Sequence, residues 1–175
     1  MTPPDPQPAS PSLATSHRTH LCGALRASDV GARVKLGGWV HRNRNLGGLL
    51  FMDLRDRAGI VQVSLDPSAT EAMAAAAGAG PESVVLVEGE VVARPPEMRN
   101  AEMATGEVEV RATAVRVVGP ATPPAIPVAL GRGEKLAAEE LRLKHRYLDL
   151  RRADLQENIV LRHRLMQATR RYLSE

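Results

Sequence analysis

The strongest constraint on the fold of this chain is an alternation of apolar and polar residues that runs, with interruptions, from Arg33 to Val118. Successive side chains of a strand point to opposite faces, so this period-two pattern predicts half-buried strands rather than helices. Turn-forming residues separate the runs, notably at 45–48 and at Gly59. The pattern predicts five strands, at about 33–44, 48–55, 59–65, 83–94 and 106–118.

One segment between the third and fourth strands has a different composition. Residues 68–79 are rich in alanine, follow Asp66-Pro67 and contain or precede the glycines Gly78 and Gly80, which predicts a short helix. Five strands with a helix between the third and fourth is the order of an OB-fold barrel, although other small barrels share that order. We therefore predict a mainly β fold, a five-stranded OB-fold barrel with one inserted helix.

The segments outside the barrel predict a tail, a hinge and helices. Residues 1–17 are rich in Pro, Ser, Thr and Ala, a composition typical of disorder. Four prolines between 119 and 133 indicate a hinge, and apolar residues at helical spacing predict helices at 135–150 and 154–173. The predicted domains are a tail (1–17), a barrel domain (18–119), a hinge (120–135) and a helical region (136–175).

Composition limits the functional classes. The net charge of +3 permits a nucleic-acid partner without requiring one. We expect a cytoplasmic protein with no membrane partner, because no apolar stretch is long enough to span a bilayer and the N-terminus lacks a secretory signal. Cys22, the single cysteine, excludes an internal disulfide, and His41 and His145 lack metal-ligand spacing, so no metal site is expected.

Aromatic residues are scarce, and the single phenylalanine falls on a polar face. The alternation places Phe51 with Asp53 and Arg55, opposite the apolar face of the second strand. By the same alternation, Gln62 and Glu109 point outward on their own strands. A ring beside arginine, amide and carboxylate groups is what single-stranded nucleic acid requires. The alternative, that Phe51 covers a barrel edge or packs under the loop at 95–105, stays open on the pattern alone.

Six segments resemble bacterial aspartyl-tRNA synthetases, and the similarity covers roughly residues 18–175. The first four would also suit lysyl- or asparaginyl-tRNA synthetases, whereas the last two favour the aspartyl enzyme. The segments are Thr19–Arg26, Gly38–Arg42, Phe51–Arg57, Gly59–Val63, Met103–Val110 and Leu141–Arg152.

The resemblance implies an anticodon-binding barrel followed by a hinge and the start of a class II catalytic domain. It implies that Phe51 stacks on the central anticodon base and that Gln62 and Glu109 contact base edges. Arg44 and Arg94 correspond to contacts with phosphate or with the anticodon stem. The implied partner is aspartate tRNA.

A second set of positions concerns the choice of tRNA. Leu46 and the loop at 95–100, with Glu97 and Met98, lie where family members that charge only aspartate tRNA differ from those that also charge asparagine tRNA. This loop differs from the enterobacterial pattern, and both assignments stay open at this point.

The class II motifs that bind ATP are absent from these 175 residues. No catalytic residue and no cofactor is therefore assigned to this chain, and we expect it to be inactive alone. ATP, Mg²⁺, aspartate and a homodimer are expected only of a full-length enzyme. The competing hypotheses are a free-standing OB-fold RNA-binding module without enzyme activity and an inert remnant. The apolar stripe of the helix at 154–173 favours a chain that lacks a partner domain.

Overall fold

The computed structural model describes residues 15–128, 130 and 135–174. Residues 1–14 of the predicted tail, and residues 129 and 131–134 of the predicted hinge, lie outside them. The chain divides into two compact units, Met1–Thr122 and Pro123–Glu175. The predicted domain boundaries stay predictions.

The first unit is a closed five-stranded barrel. The strands pair in the order β1-β2-β3-β5-β4, with β3 and β5 parallel and every other pair antiparallel. The OB-fold prediction is confirmed, and each predicted strand end lies within two residues of the observed one. The elements are β1 (Arg33–Leu46), β2 (Leu49–Asp56), β3 (Gly59–Leu65), the helix α1 (Thr70–Gly78), β4 (Val84–Ala93) and β5 (Val108–Gly119).

Side-chain alternation fills the barrel as predicted. The inward residues of β2, β3 and β5 are aliphatic and almost completely buried, so one face of each strand forms the core and the other is left for solvent or a ligand. These inward residues are Leu50, Met52, Leu54, Val61, Val63, Leu65, Val108 and Val110.

A segment before β1 seals one end of this core. Cys22 and Leu25 are fully buried, and the backbone N–H of Cys22 donates to the Asp56 carboxylate at 2.7 Å. Burial and the nearby Asp56 charge raise the pKa of the Cys22 thiol, which is therefore neutral and acts as a small apolar side chain. A Cβ atom on Gly23 would lie 2.0 Å from the Ala58 carbonyl oxygen, so this close contact between segment and β2–β3 turn requires glycine.

The described residues of the second unit form three helices, α2 (Glu139–Lys144), α3 (Arg146–Asp149) and α4 (Ala153–Ser174). The prediction of α4 is confirmed, whereas the prediction of one continuous helix at 135–150 is wrong. His145, with φ −107° and ψ 43°, leaves helical geometry and separates α2 from α3. No helix among the described residues is long and apolar enough to cross a membrane.

A buried carboxylate connects the two helices on either side of His145. Asp149 is fully buried and accepts hydrogen bonds from Arg142 (3.1 Å), Arg146 (2.9 Å) and Arg152 (3.0 Å). Burial alone would raise the pKa of Asp149, but the hydrogen bonds and charges of Arg142 and Arg152 outweigh burial and hold it below its ordinary value. The cluster thus connects Arg142 of α2 with Arg146 and Asp149 of α3 across the break.

Two glycine substitutions test the packing of the N-terminal segment. Gly23→Ala should destabilise the barrel by about 1–3 kcal/mol, the usual cost of overpacking, because the added methyl overlaps the Ala58 carbonyl. Gly78→Ala is the control, since nothing lies within 4 Å of its Cβ position, and it should stabilise α1 by up to about 1 kcal/mol. Urea unfolding followed by fluorescence of Trp39 measures both. Equal stabilities of the Gly23→Ala variant and the wild type would contradict the contact.

Candidate nucleic-acid interface

The outer faces of β1, β2, β3 and β5 bring polar residues from distant parts of the chain together. Arg44 pairs with Phe51 and Phe51 with Ser64 in the strand register, while Asp53 pairs with Gln62. The parallel register of β3 and β5 then sets Glu109 beside Gln62. We call this surface the polar face, and it consists of Arg44, Phe51, Asp53, Gln62, Ser64 and Glu109.

A chain of hydrogen bonds, which we call the network, holds the side chains of the polar face in place. Gln62 Nε2 donates to Glu109 Oε2 at 2.8 Å, and Ser64 Oγ donates to Glu109 Oε1 at 2.8 Å. Arg44 Nη2 donates to Gln62 Oε1 at 3.2 Å and to Asp53 Oδ1 at 2.8 Å. The Gln62 amide is therefore held at both ends, with one N–H left to donate to a ligand.

Arg94, which follows β4, is buried rather than exposed. Its guanidinium donates from Nε to the Val108 carbonyl at 3.0 Å and lies 4.0 Å from Glu109 Oε2. Nη2 has no hydrogen-bond partner among the described residues. Burial lowers the pKa of Arg94, and the Glu109 carboxylate opposes that effect. The phosphate contact implied for Arg94 stays a prediction. In the structure, this guanidinium is directed towards the Val108 carbonyl and the Glu109 carboxylate.

The charges of this network are balanced. Two arginines, Arg44 and Arg94, offset two carboxylates, Asp53 and Glu109. The network therefore presents fixed donors and acceptors with no net charge, which suits contact with neutral base edges more than with phosphates.

Phe51 is partly exposed and lies on β2, between Arg44 and Ser64. The barrel is closed, so β2 has no free edge for the ring to cover. The ring also lines a groove formed by β2, β3, β5 and the residues before α1, without residues of the loop at 95–105. The structure thus favours a ring that a base can reach.

Sequence reasoning placed Asp53 and Ser64 on the outer faces of their strands but did not recognise that they join the network. The period-two pattern carried that signal, because every second residue of β2 and β3 reaches the polar face. It could not reveal which neighbours would bond. His41, for which no metal-ligand role was expected, accepts from Arg55 Nη1 at 3.0 Å, and burial lowers its pKa.

The residues that the resemblance links to the choice between tRNAs lie outside the network, at the end of β1 and in the loop after β4. Leu46 ends β1 and is 61% exposed. Glu97 and Met98 belong to a short 3-10 helix after β4, where Met98 is 62% exposed. Among the described residues, no three His, Cys, Asp or Glu side chains are grouped as metal ligands.

Two family models match the chain. One describes an OB-fold nucleic acid binding domain and matches residues 34–118. The other describes class II tRNA synthetases of the D, K and N group and matches residues 138–175. The two matches fall on the barrel and on the helical unit.

Similar proteins include long synthetases from bacteria. An aspartate–tRNA(Asp/Asn) ligase of Rubrobacter xylanophilus is 52% identical over 91% of this chain and 26% of its own length. The enzyme of the same name from Caulobacter is 50% identical over 89% of this chain and 25% of its own. The chain thus spans about a quarter of the length of the curated relatives that it matches.

Solved structures of synthetases have a similar fold. The asparaginyl-tRNA synthetase of Pyrococcus horikoshii, complexed with asparaginyl-adenylate, superposes with a TM-score of 0.74 at 28% identity, covering 88% of this chain and 33% of that one. An aspartyl-tRNA synthetase of Entamoeba histolytica, 19% identical, gives the same TM-score over 85% of this chain and 35% of its own, which supports the fold.

Removing the Glu109 carboxylate tests the network. Glu109→Ala leaves Ser64, Gln62 and the buried Arg94 without their shared acceptor, so we expect a loss of at least about 2 kcal/mol of unfolding free energy. Glu107→Ala is the matched control, because that exposed carboxylate lies two residues away and makes no side-chain contact in the network. Urea unfolding followed by Trp39 fluorescence should separate the two variants, and equal midpoints would show that the network contributes nothing.

Proposed function

This chain belongs to the aspartate–tRNA ligase family of class II tRNA synthetases, and we propose that its barrel binds a tRNA anticodon through the polar face. One observation carries the proposal, namely the accessible Phe51 ring beside a Gln62–Glu109 pair that is already fixed in place. A ring supplies stacking to any base, while fixed amide and carboxylate groups supply preference among bases.

Preorganisation supports this role. Ordering a flexible side chain on binding costs about 0.5–1.5 kcal/mol, and the bonds from Arg44 and Ser64 have already ordered Gln62 and Glu109. The free N–H of Gln62 and the remaining lone pairs of Glu109 then meet the base edges. Arg44, whose side chain is 42% exposed, holds Gln62 and also lies within reach of an RNA backbone.

The relatives' names support two tRNA partners. Both are named as ligases for the aspartate and asparagine tRNAs, so we propose that this chain binds both. By the genetic code the anticodons of these tRNAs, GUC and GUU, share their first two bases. Leu46, Glu97 and Met98 are the positions that we propose to influence acceptance of the second tRNA.

The proposed activity of the whole enzyme is the attachment of aspartate to tRNA with ATP and Mg²⁺, as a cytoplasmic homodimer. The similarity to long ligases supports this over a free-standing RNA-binding module. No residue of this chain is assigned to the chemistry of that reaction.

Phe51→Ala should weaken binding of a GUC anticodon stem-loop by about 1–3 kcal/mol, the usual contribution of one stacked base. Tyr172→Ala is the control, because it removes an aromatic ring that is 84% exposed on α4, outside the barrel. Fluorescence titration of a labelled stem-loop measures both affinities. The proposed face is wrong if the Phe51 variant binds as tightly as the Tyr172 variant.

Glu109→Gln should reduce preference between anticodons rather than affinity for RNA in general. A carboxylate only accepts hydrogen bonds, so it favours amino groups of bases, whereas glutamine both donates and accepts. The affinity ratio between a GUC stem-loop and an otherwise identical loop with the triplet UUU, whose bases carry no amino group, should therefore fall towards one. An unchanged ratio would remove Glu109 from base recognition.

A further inference from the structure

A groove continues from the polar face past Phe51 and along the outer face of β5 as far as Thr113. Its volume of about 730 Å³ lies in the range of small-molecule sites and exceeds the space that one base needs. Phe51, Ser64 and Glu109 form its near end, and Ser68, Arg111 and Thr113 contribute to the rest. The groove is thus continuous with the face proposed to bind the anticodon, yet it includes residues with no assigned role.

Arg111 differs from the arginines of the network. Arg44 is bonded to Asp53 and Gln62, and Arg94 is buried against Val108 and Glu109. Arg111 is exposed, and its side chain makes no hydrogen bond or ion pair with a residue that the structure describes. Its guanidinium is therefore available to a ligand.

The position of Arg111 relative to Glu109 fits a strand of RNA. Arg111 pairs with Ser64 across the β3–β5 register and lies two residues beyond Glu109, a step of about 6.6 Å along β5. Neighbouring nucleotides of an unstacked strand are separated by a step of this size. A base held at Glu109 would bring the backbone of an adjacent nucleotide to Arg111.

The Arg111 guanidinium is the group at this end of the groove that can attract a phosphate. The network has no net charge, so the attraction for phosphate has to come from groups outside it. The Asp66 carboxylate also lines the groove, but the backbone N–H and side chain of Ser68 bind it, and these bonds keep its pKa below its ordinary value. Asp66 therefore stays charged and reduces the positive potential of Arg111 without forming an ion pair with it.

We propose that this groove holds a nucleotide that adjoins the anticodon triplet, with its phosphate against Arg111 and its sugar and base between Phe51 and Thr113. The proposal rests on the proposed function, because the triplet bound on the polar face determines where the adjacent nucleotide lies. It adds a binding site for a fourth nucleotide. Arg111 supplies affinity for the RNA backbone there, whereas the network supplies preference among bases.

The test uses the 175-residue chain, a GUC stem-loop and two versions of that loop. Each version carries one uncharged methylphosphonate, either on the 5′ or on the 3′ side of the triplet. The variants are Arg111→Ala and, as a matched control, Arg116→Ala, which removes an exposed arginine five residues along β5 that does not line the groove. Affinities are measured by fluorescence titration at several salt concentrations.

Arg111→Ala should weaken binding at low salt and reduce the slope of log affinity against log salt by about 0.7, the contribution of one phosphate of a single strand. One of the two methylphosphonates should weaken binding to the wild type but not weaken it further in the Arg111 variant. Arg116→Ala should match the wild type in both respects.

Two results would overturn the proposal, and only the second would also overturn the proposed function. If Arg111→Ala keeps the wild-type affinity and slope while Phe51→Ala still weakens binding, the groove is not a nucleotide site and the anticodon face stands. If neither substitution changes binding of the stem-loop, the groove and the proposed function fail together.

Discussion

The parallel pairing of β3 with β5 is the contact on which the rest of the site depends. Gln62 and Glu109 are 47 residues apart in the chain, and this pairing brings them within hydrogen-bonding distance. It also closes the barrel, so that β3 lies between β2 and β5 and the outer faces of these strands form a continuous surface rather than an edge. The glycine contact at Gly23 and the aliphatic core hold the β2–β3 hairpin in the position that this closure requires.

Charge divides the surface into two regions with different capacities. The network of Arg44, Asp53, Glu109 and Arg94 is neutral and rigid, which favours recognition of base edges by geometry. Arg111, at the end of the groove, is exposed and has no partner among the described residues, which favours attraction to a backbone phosphate. Side chains from adjacent strands on one face of an OB-fold barrel can thus supply preference among bases and affinity for the RNA backbone separately.

The sequence predicted the barrel well because strand alternation and turn residues are local. It located every strand within two residues and placed Phe51, Gln62 and Glu109 on one face. It could not predict that Arg94 is buried, because the burial of a charged residue depends on a partner from another strand. The break at His145 was missed because the spacing of apolar residues over 135–150 is helical and carries no signal of it. The roles of Asp53, Ser64 and Arg111 depend on register between strands, which alternation alone does not specify.

The most direct test of the central claim is nuclear magnetic resonance of the ¹⁵N-labelled chain titrated with a GUC stem-loop. We expect the side-chain amide resonances of Gln62 to shift together with the backbone amides of Phe51, Ser64 and Arg111. Amides on the opposite side of the barrel, such as those of Lys35 and Glu88, which form an ion pair there, should stay in place. Shifts confined to the β1–β4 surface or to α4, with the Gln62 amide unmoved, would contradict it.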